Sequence, residues 1–458
     1  MPAFEISELL AATGAELHGE SIEHFEDIVT DTRKITEGTL FVALSGERFN
    51  GEDFAAEAVE KGAAGVVVSR GCPREKYPSR GAVLVVENTL KAYQQIAHAW
   101  RMKFDIPVIA ITGSNGKTTT KDLVAAVLSA RGPVCKTQAN FNNEVGLPLT
   151  LLSIRKEHVA AVVEIGMRGR HQIEELMPIA EPSIGIVTNV GETHIELLGS
   201  IENIAKAKCE MVEGLPDNGT VILNADDPRV AAMAEKAKPG VRVMTFGIES
   251  EADIRGESIH TDEYVTRFTV CYNDKFHDYV IPLLGMHNVY NALAAVTVGF
   301  AAGLSSVEIH KGFLALEATK MRFECSEKDG CRIINDAYNA SPMSMKASLE
   351  TAAKLNPESR LIAVLGDMLE LGDISESAHR EVGQEVGKNG FSTLITYGDM
   401  SRWIDEGARA EGVKDVRHAS SHEEAAEMLK GIVKRGDTVL FKGSRGMKME
   451  KILELVFH

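Results

Sequence analysis

A chain of 458 residues, 44% apolar and 25% charged, has the composition of a globular protein and is long enough for two or three domains, each with its own core. No segment approaches the roughly 20 apolar residues of a membrane span, which argues against membrane insertion. A formal net charge of -17, without a basic run or an aromatic-and-basic stripe, argues against a nucleic-acid partner.

The opening segment, MPAFEISELLAATGAELHGE, is acidic and amphipathic and lacks the pattern of a secretory signal. Six scattered cysteines, with no CxxC pair, fit a reduced, cytoplasmic protein better than a zinc site or a disulfide framework. Short β-branched runs then alternate with helical patterns throughout, the signature of an α/β fold with mainly parallel sheets. TLFVAL (39–44), AGVVVS (64–69) and AVLVVE (82–87) predict strands, and DFAAEAVEKGA predicts a helix, so residues 1–87 read as a small α/β domain.

A helix is predicted over LKAYQQIAHAWRMKF (90–104), followed by the strand IPVIAIT, the loop GSNGKTT and the helix KDLVAAVLSA. Further strands fall at HVAAVVEIGM, PSIGIVTNVG and GTVILNA, and the helix NVYNALAAVTVGFAAG ends at Gly303 as a C-cap. Residues 88–313 thus form a central, mostly parallel domain of phosphate-loop type. From 314 to 458 the strands RIINDAY, RLIAVLG, STLITYG, DVRHAS and DTVLFKG alternate with helices, predicting a doubly wound, Rossmann-like third domain.

The loop carries the strongest chemical signal. A strand, glycines and a helix start bring backbone N–H groups to an anion, Lys117 supplies positive charge, and the Thr118 hydroxyl suits Mg²⁺. Ile111 stands where the longer phosphate-loop pattern would place its first glycine. ATP fits better than a dinucleotide, because GxGxxG is missing here and that fingerprint has no use for a lysine.

Glu164 lies in HVAAVVEIGM, an otherwise apolar strand, where a carboxylate is costly unless paired or bound to metal; the alternative is an exposed strand end. His194 follows the next strand and reads either as a site residue or as an ordinary structural histidine. Lys206, Lys208 and Glu210 fit one helix, for which a solvated face is the default reading. In the third domain Arg322 follows the junction, and Asp336, Tyr338 and Asn339 lie at a strand end before a turn, where a nucleotide or substrate could bind.

TGSNGKTTT, VVEIGM, TNVGETH, AKAKCEM, LNADDP and GMHNVYNALAA occur together and in this order, and with them the chain resembles the Mur ligases of bacterial cell-wall synthesis over essentially its whole length. The resemblance implies an ATP-dependent amide ligase working through an acyl phosphate. TDTRKITEGTLFVALSGERFNGEDF, NFNNEVGLPLTLL, INDAYNASPMSMKASL and VLGDMLELG imply UDP-N-acetylmuramoyl-tripeptide and D-alanyl-D-alanine as substrates, with UDP-MurNAc-pentapeptide, ADP and phosphate as products.

The resemblance further implies that the loop is the shorter GxxGK[ST] form, so that Gly113, Ser114, Asn115, Gly116, Lys117, Thr118 and Thr119 hold ATP phosphates. Glu164, His194 and Lys208, the last carbamylated as in relatives, would serve Mg²⁺ with Thr118. Asn288 would lie near the adenine, and Arg322 and Asp336 would reach ATP from the third domain. Thr32, Arg33 and Arg48 would meet the UDP-sugar, Asn142 and Asn143 the sugar-peptide, and Tyr338 and Asn339 the dipeptide. INDAYNASP stands where DDSYNANP is common, placing Asn335 for the first Asp and Ser341 for the second Asn. A monomer is expected. The competing readings are a folylpolyglutamate- or cyanophycin-type ligase and a nucleotide-binding regulator without catalysis.

Overall fold

The computed structural model describes residues 2–46, 49–317, 319–355 and 357–457. Its first sheet runs Glu16–Gly19, Ala82–Val86, Gly65–Ser69, Thr39–Val42, Asp27–Val29, antiparallel at the first pairing and parallel thereafter. Ala82–Val86 is buried along its length, as a continuous apolar run between two packed faces should be. The helix Thr89–Arg101 follows, its first turn capped by the Asn88 side chain, which accepts from Lys91 N at 2.9 Å. This helix buries Tyr93, Ile96 and Trp100 in an apolar cluster that continues from Phe4 and Phe25 to Val108 and Met211. It therefore belongs to the packing of both the first and the central domain, which share one continuous core on that side.

The central sheet has nine strands, in the order Val134–Lys136, Ala160–Glu164, Val108–Thr112, Ile184–Val187, Thr220–Asn224, Arg242–Gly247, Ile254–Thr261, Thr266–Tyr272 and Lys275–Ile281. Six of the eight pairings are parallel, and the last two are antiparallel. That antiparallel extension adds to the parallel sheet expected from the sequence. From Val108–Thr112 the chain moves to one side, and it returns on the other at Ile184–Val187. The loop after Thr112 thus sits at a switch point of the sheet, where ligand crevices form in open α/β folds.

The third sheet runs Glu324–Lys328, Cys331–Asp336, Thr438–Lys442, Leu361–Gly366, Thr393–Tyr397, Asp415–Ala419. Its first pairing is antiparallel and the rest are parallel. Apolar clusters lie on both faces under the intervening helices, the doubly wound arrangement the alternation predicts. No helix among the described residues is long and apolar enough to cross a membrane.

Candidate functional site

The loop leaves its buried strand with Gly113 at φ +148° and turns into the helix with Gly116 at φ +82°. Both positions need glycine for a second reason. A Cβ on Gly113 would lie 1.9 Å from Thr188 Oγ1, and one on Gly116 would lie 2.4 Å from Asn291 Oδ1. The helix begins at Lys117, four residues ahead of the predicted KDLVAAVLSA, so its unpaired first-turn N–H groups belong to the loop itself. Asn189 braces the loop by accepting from Ser114 N at its carbonyl, 3.0 Å, and from Asn115 N at Oδ1, 2.9 Å.

Lys117 folds back over this loop, donating to Gly113 O at 2.6 Å and Ser114 O at 3.4 Å. Burial pulls its pKa down to about 8, with Glu164 opposing the shift and Arg322 adding to it. An arriving phosphate would find a cation already held at the anion-binding end of a helix.

Glu164 is 1% exposed, which excludes the exposed-strand-end reading. Its Oε2 accepts from the Thr118 hydroxyl at 3.3 Å, Lys121 Nζ stands 3.5 Å from Oε1, and Oε1 itself has no hydrogen-bond partner. A buried carboxylate oxygen without a donor, beside a threonine hydroxyl at a phosphate loop, is a hard-oxygen donor set that fits Mg²⁺. No group of three or more His, Cys, Asp or Glu able to hold a metal occurs among the described residues.

Lys208 is 2% exposed and Glu210 is also buried, so the solvated-face reading holds only for Lys206. The helix Ile201–Glu213 turns this face inward. Glu210 accepts from His171 N at 2.7 Å and Glu174 N at 3.2 Å, capping the neighbouring helix Gln172–Ala180. Lys208 has no carboxylate within ion-pair distance among the described residues. Burial, with Lys117 nearby, holds its pKa well below the usual lysine range. His194 sits in left-handed backbone at φ +65° and turns Nδ1 to the Glu370 carboxylate of the third domain. Burial lowers its pKa despite that carboxylate.

The third domain closes the other wall. Arg322 Nη2 donates to Thr118 Oγ1 at 2.9 Å, and its guanidinium lies 4.3 Å from the centre of the Tyr338 ring. Asp336 is engaged by Lys442 and the Ser348 hydroxyl, both 2.5 Å from Oδ2. Lys442 also donates to the carbonyl of Asn339 at 3.1 Å. Ser341, the departure noted in INDAYNASP, donates to Asn115 Oδ1 of the phosphate loop at 2.8 Å.

Asn142 and Asn143 line the same cleft, and Asn143 Oδ1 also accepts from Gly146 N at 2.9 Å. Asn288 is buried, donating to Leu284 O at 2.8 Å and accepting from Asn291 Nδ2 at 3.1 Å. Thr32 and Arg33 do not join this group: they lie on the turn Thr32–Lys34, with Arg33 turned to Asp31 and its side chain 85% exposed. Arg48 lies outside the described residues.

Sequence reasoning missed three side chains. Glu370 lies in VLGDMLELG and Lys442 in DTVLFKG, both apolar strands running into polar loops, and that position was the available signal. Asn291 lies in GMHNVYNALAA, of which the sequence reading singled out only Asn288. The residues brought together line one cleft of about 1240 Å³ between the central and third domains.

Three family descriptions match this chain: the Mur ligase family, catalytic domain, over 24–101; the Mur ligase middle domain, over 111–299; and the Mur ligase, glutamate ligase domain, over 321–445. A relative from Bacillus subtilis (strain 168), UDP-N-acetylmuramoyl-tripeptide--D-alanyl-D-alanine ligase, is 40% identical over 93% of this chain and 92% of its own. The crystal structure of MurF from Acinetobacter baumannii superposes with a TM-score of 0.91 at 30% identity, covering 100% of this chain and 99% of that one. The MurF ligase from Thermotoga maritima, solved in complex with ADP, gives 0.83 at 28% identity over 94% and 96%.

Proposed function

The chain belongs to the Mur ligase family, and from that premise we propose how its own residues divide the work of the reaction. It is an ATP-dependent ligase that joins D-alanyl-D-alanine to UDP-N-acetylmuramoyl-tripeptide, releasing UDP-MurNAc-pentapeptide, ADP and phosphate. The observation that carries the residue assignment is the convergence of Lys117, Thr118, Glu164 and Lys208 with Arg322 and Asp336 across one interdomain cleft.

A carboxylate is a poor electrophile because an amine cannot displace oxide from it. Moving the ATP γ-phosphoryl group onto the tripeptide carboxylate creates an acyl phosphate with a good leaving group. The dipeptide amine adds to the carbonyl carbon, and the tetrahedral intermediate collapses to amide and phosphate. Such transfers depend mainly on positioning and charge neutralisation. Lys117 and the loop N–H groups orient the phosphates. Arg322 adds positive charge from the third-domain wall, and Asn288 fixes the adenine end. Thr118, Glu164 and carbamylated Lys208, with His194 beside them, would hold Mg²⁺, which when bound neutralises phosphate oxygens.

Burial favours the neutral amine of Lys208, which can add to carbon dioxide, forming an N–C bond and releasing one proton. The resulting carbamate gives an anionic oxygen donor where an ammonium would repel both Lys117 and a metal ion. Asn142 and Asn143 meet the sugar-peptide, and Tyr338 and Asn339 the dipeptide. Thr32, Arg33 and Arg48 bind the UDP end on the first domain. The functional boundaries follow residues 1–87, 88–313 and 314–458.

The form proposed for the enzyme is a monomer. Free cysteines and phosphorylated substrates support a cytoplasmic site of action. ADP release measured with each substrate omitted in turn tests the reading. Release should require both UDP-N-acetylmuramoyl-tripeptide and D-alanyl-D-alanine, and ATP hydrolysis indifferent to both would overturn it.

A further inference from the structure

The segment that delivers Arg322 is unusually constrained. Met321 and Phe323, on either side of it, both hold left-handed backbone, at φ +59° and +53°. Bulky residues adopt that conformation only where the surroundings impose it. On the third-domain side, Phe323 N donates to Asp336 Oδ1 at 3.1 Å, and Tyr338 N donates to Met321 O at 3.2 Å. On the central-domain side, the Thr319 hydroxyl donates to Asp122 Oδ2 at 2.5 Å.

Asp122 is 3% exposed on the phosphate-loop helix Lys117–Leu128. Its Oδ1 lies 2.8 Å from Lys136 Nζ and 3.4 Å from Lys121 Nζ, which leaves Oδ2 for Thr319. Thr118 and Asp122 are four residues apart and share one helix face. Arg322 and Thr319, three residues apart on the linker, meet them in reverse order. The linker is thereby laid antiparallel along the helix that begins at the phosphates.

We propose that the Asp122–Thr319 hydrogen bond is a positioning element for the ligase reaction: it fixes the linker on the phosphate-loop helix, so that Arg322 is presented to ATP. Arg322 Nε is buried without a partner, so the guanidinium keeps a donor in reserve. The inference rests on the role given above to Arg322, and Thr319 acts only through it.

The test is a double-mutant cycle read by ATP binding in calorimetry with Mg²⁺ present. Losing one hydrogen bond to a charged group is worth about ten- to a hundredfold, of which only the part that holds the linker in place reaches the nucleotide, so Thr319→Val should weaken ATP by about three- to tenfold. Its KM for D-alanyl-D-alanine should not change, whereas its thermal midpoint should fall modestly because the buried Asp122 Oδ2 loses its donor. Thr319→Ser, which restores the hydroxyl, should bind ATP as the parent does. Arg322→Ala and the Thr319→Val/Arg322→Ala double variant should bind ATP equally weakly, because the first change has nothing left to act on. If Arg322→Ala is weakened while Thr319→Val keeps full affinity, or if the two losses multiply, the anchoring is overturned. Unchanged affinity in Arg322→Ala would remove the role of Arg322, and this inference with it.

Discussion

Lys117 and Lys208 illustrate two uses of a buried lysine. Lys117 keeps carbonyl partners and an adjacent carboxylate field, which favour the cation that its proposed phosphate role requires. Replacing it by alanine removes several kcal/mol of charge stabilisation. ADP release dependent on both substrates should then fall by orders of magnitude, about tenfold for each 1.4 kcal/mol lost. Lys208 has no anion among the described residues to stabilise an ammonium. Protein incubated with ¹³C-bicarbonate should therefore show a carbamate resonance that is missing in Lys208→Arg, and equal spectra would refute carbamylation. The two lysines were not equally legible in the sequence. Lys117 sits in a pattern whose spacing has a mechanism, whereas Lys208 sits in IAKAKCEMVEGL beside the exposed Lys206, and only the packing of the helix tells the two apart.

At the scale of elements, alternation of apolar runs and helical patterns marked the strands that carry the site, because a strand buried on both faces has little freedom of composition. The antiparallel extension from Ile254 to Ile281 was less legible, since its strands bury only some of their residues and follow no helix. Its turn residues Asn273 and Asp274, both at positive φ, were the available hairpin signal. Pairings across domains, such as His194 with Glu370, leave no local trace in sequence.

The third domain also carries a testable cost. Asp405 is buried in the helix Arg402–Ala410, accepts from the Thr396 hydroxyl at 2.8 Å, and is pushed up to about 6 by burial. A carboxyl pKa raised on folding favours the folded state below the unfolded value, and this advantage is lost as pH rises through about 6. Asp405→Asn should therefore raise stability at pH 8 by roughly 2–3 kcal/mol and have little effect near pH 3. Denaturant unfolding at the two pH values checks this, and an equal change at both would refute it.

Across the whole molecule, the site exists because two domains meet. Arg322 reaches Thr118, Ser341 reaches Asn115, and Glu370 reaches both His194 and Arg168. These bridges surround the phosphate loop and give the cleft a wall that would shield an acyl phosphate from water. The chemistry assigned to this cleft makes one demand that binding alone does not: an oxygen of the tripeptide carboxylate must leave with the phosphate. UDP-N-acetylmuramoyl-tripeptide carrying ¹⁸O in its terminal carboxylate, turned over with ATP and D-alanyl-D-alanine, should yield inorganic phosphate containing one ¹⁸O per amide bond formed. Phosphate free of the label, with amide still produced, would contradict the account.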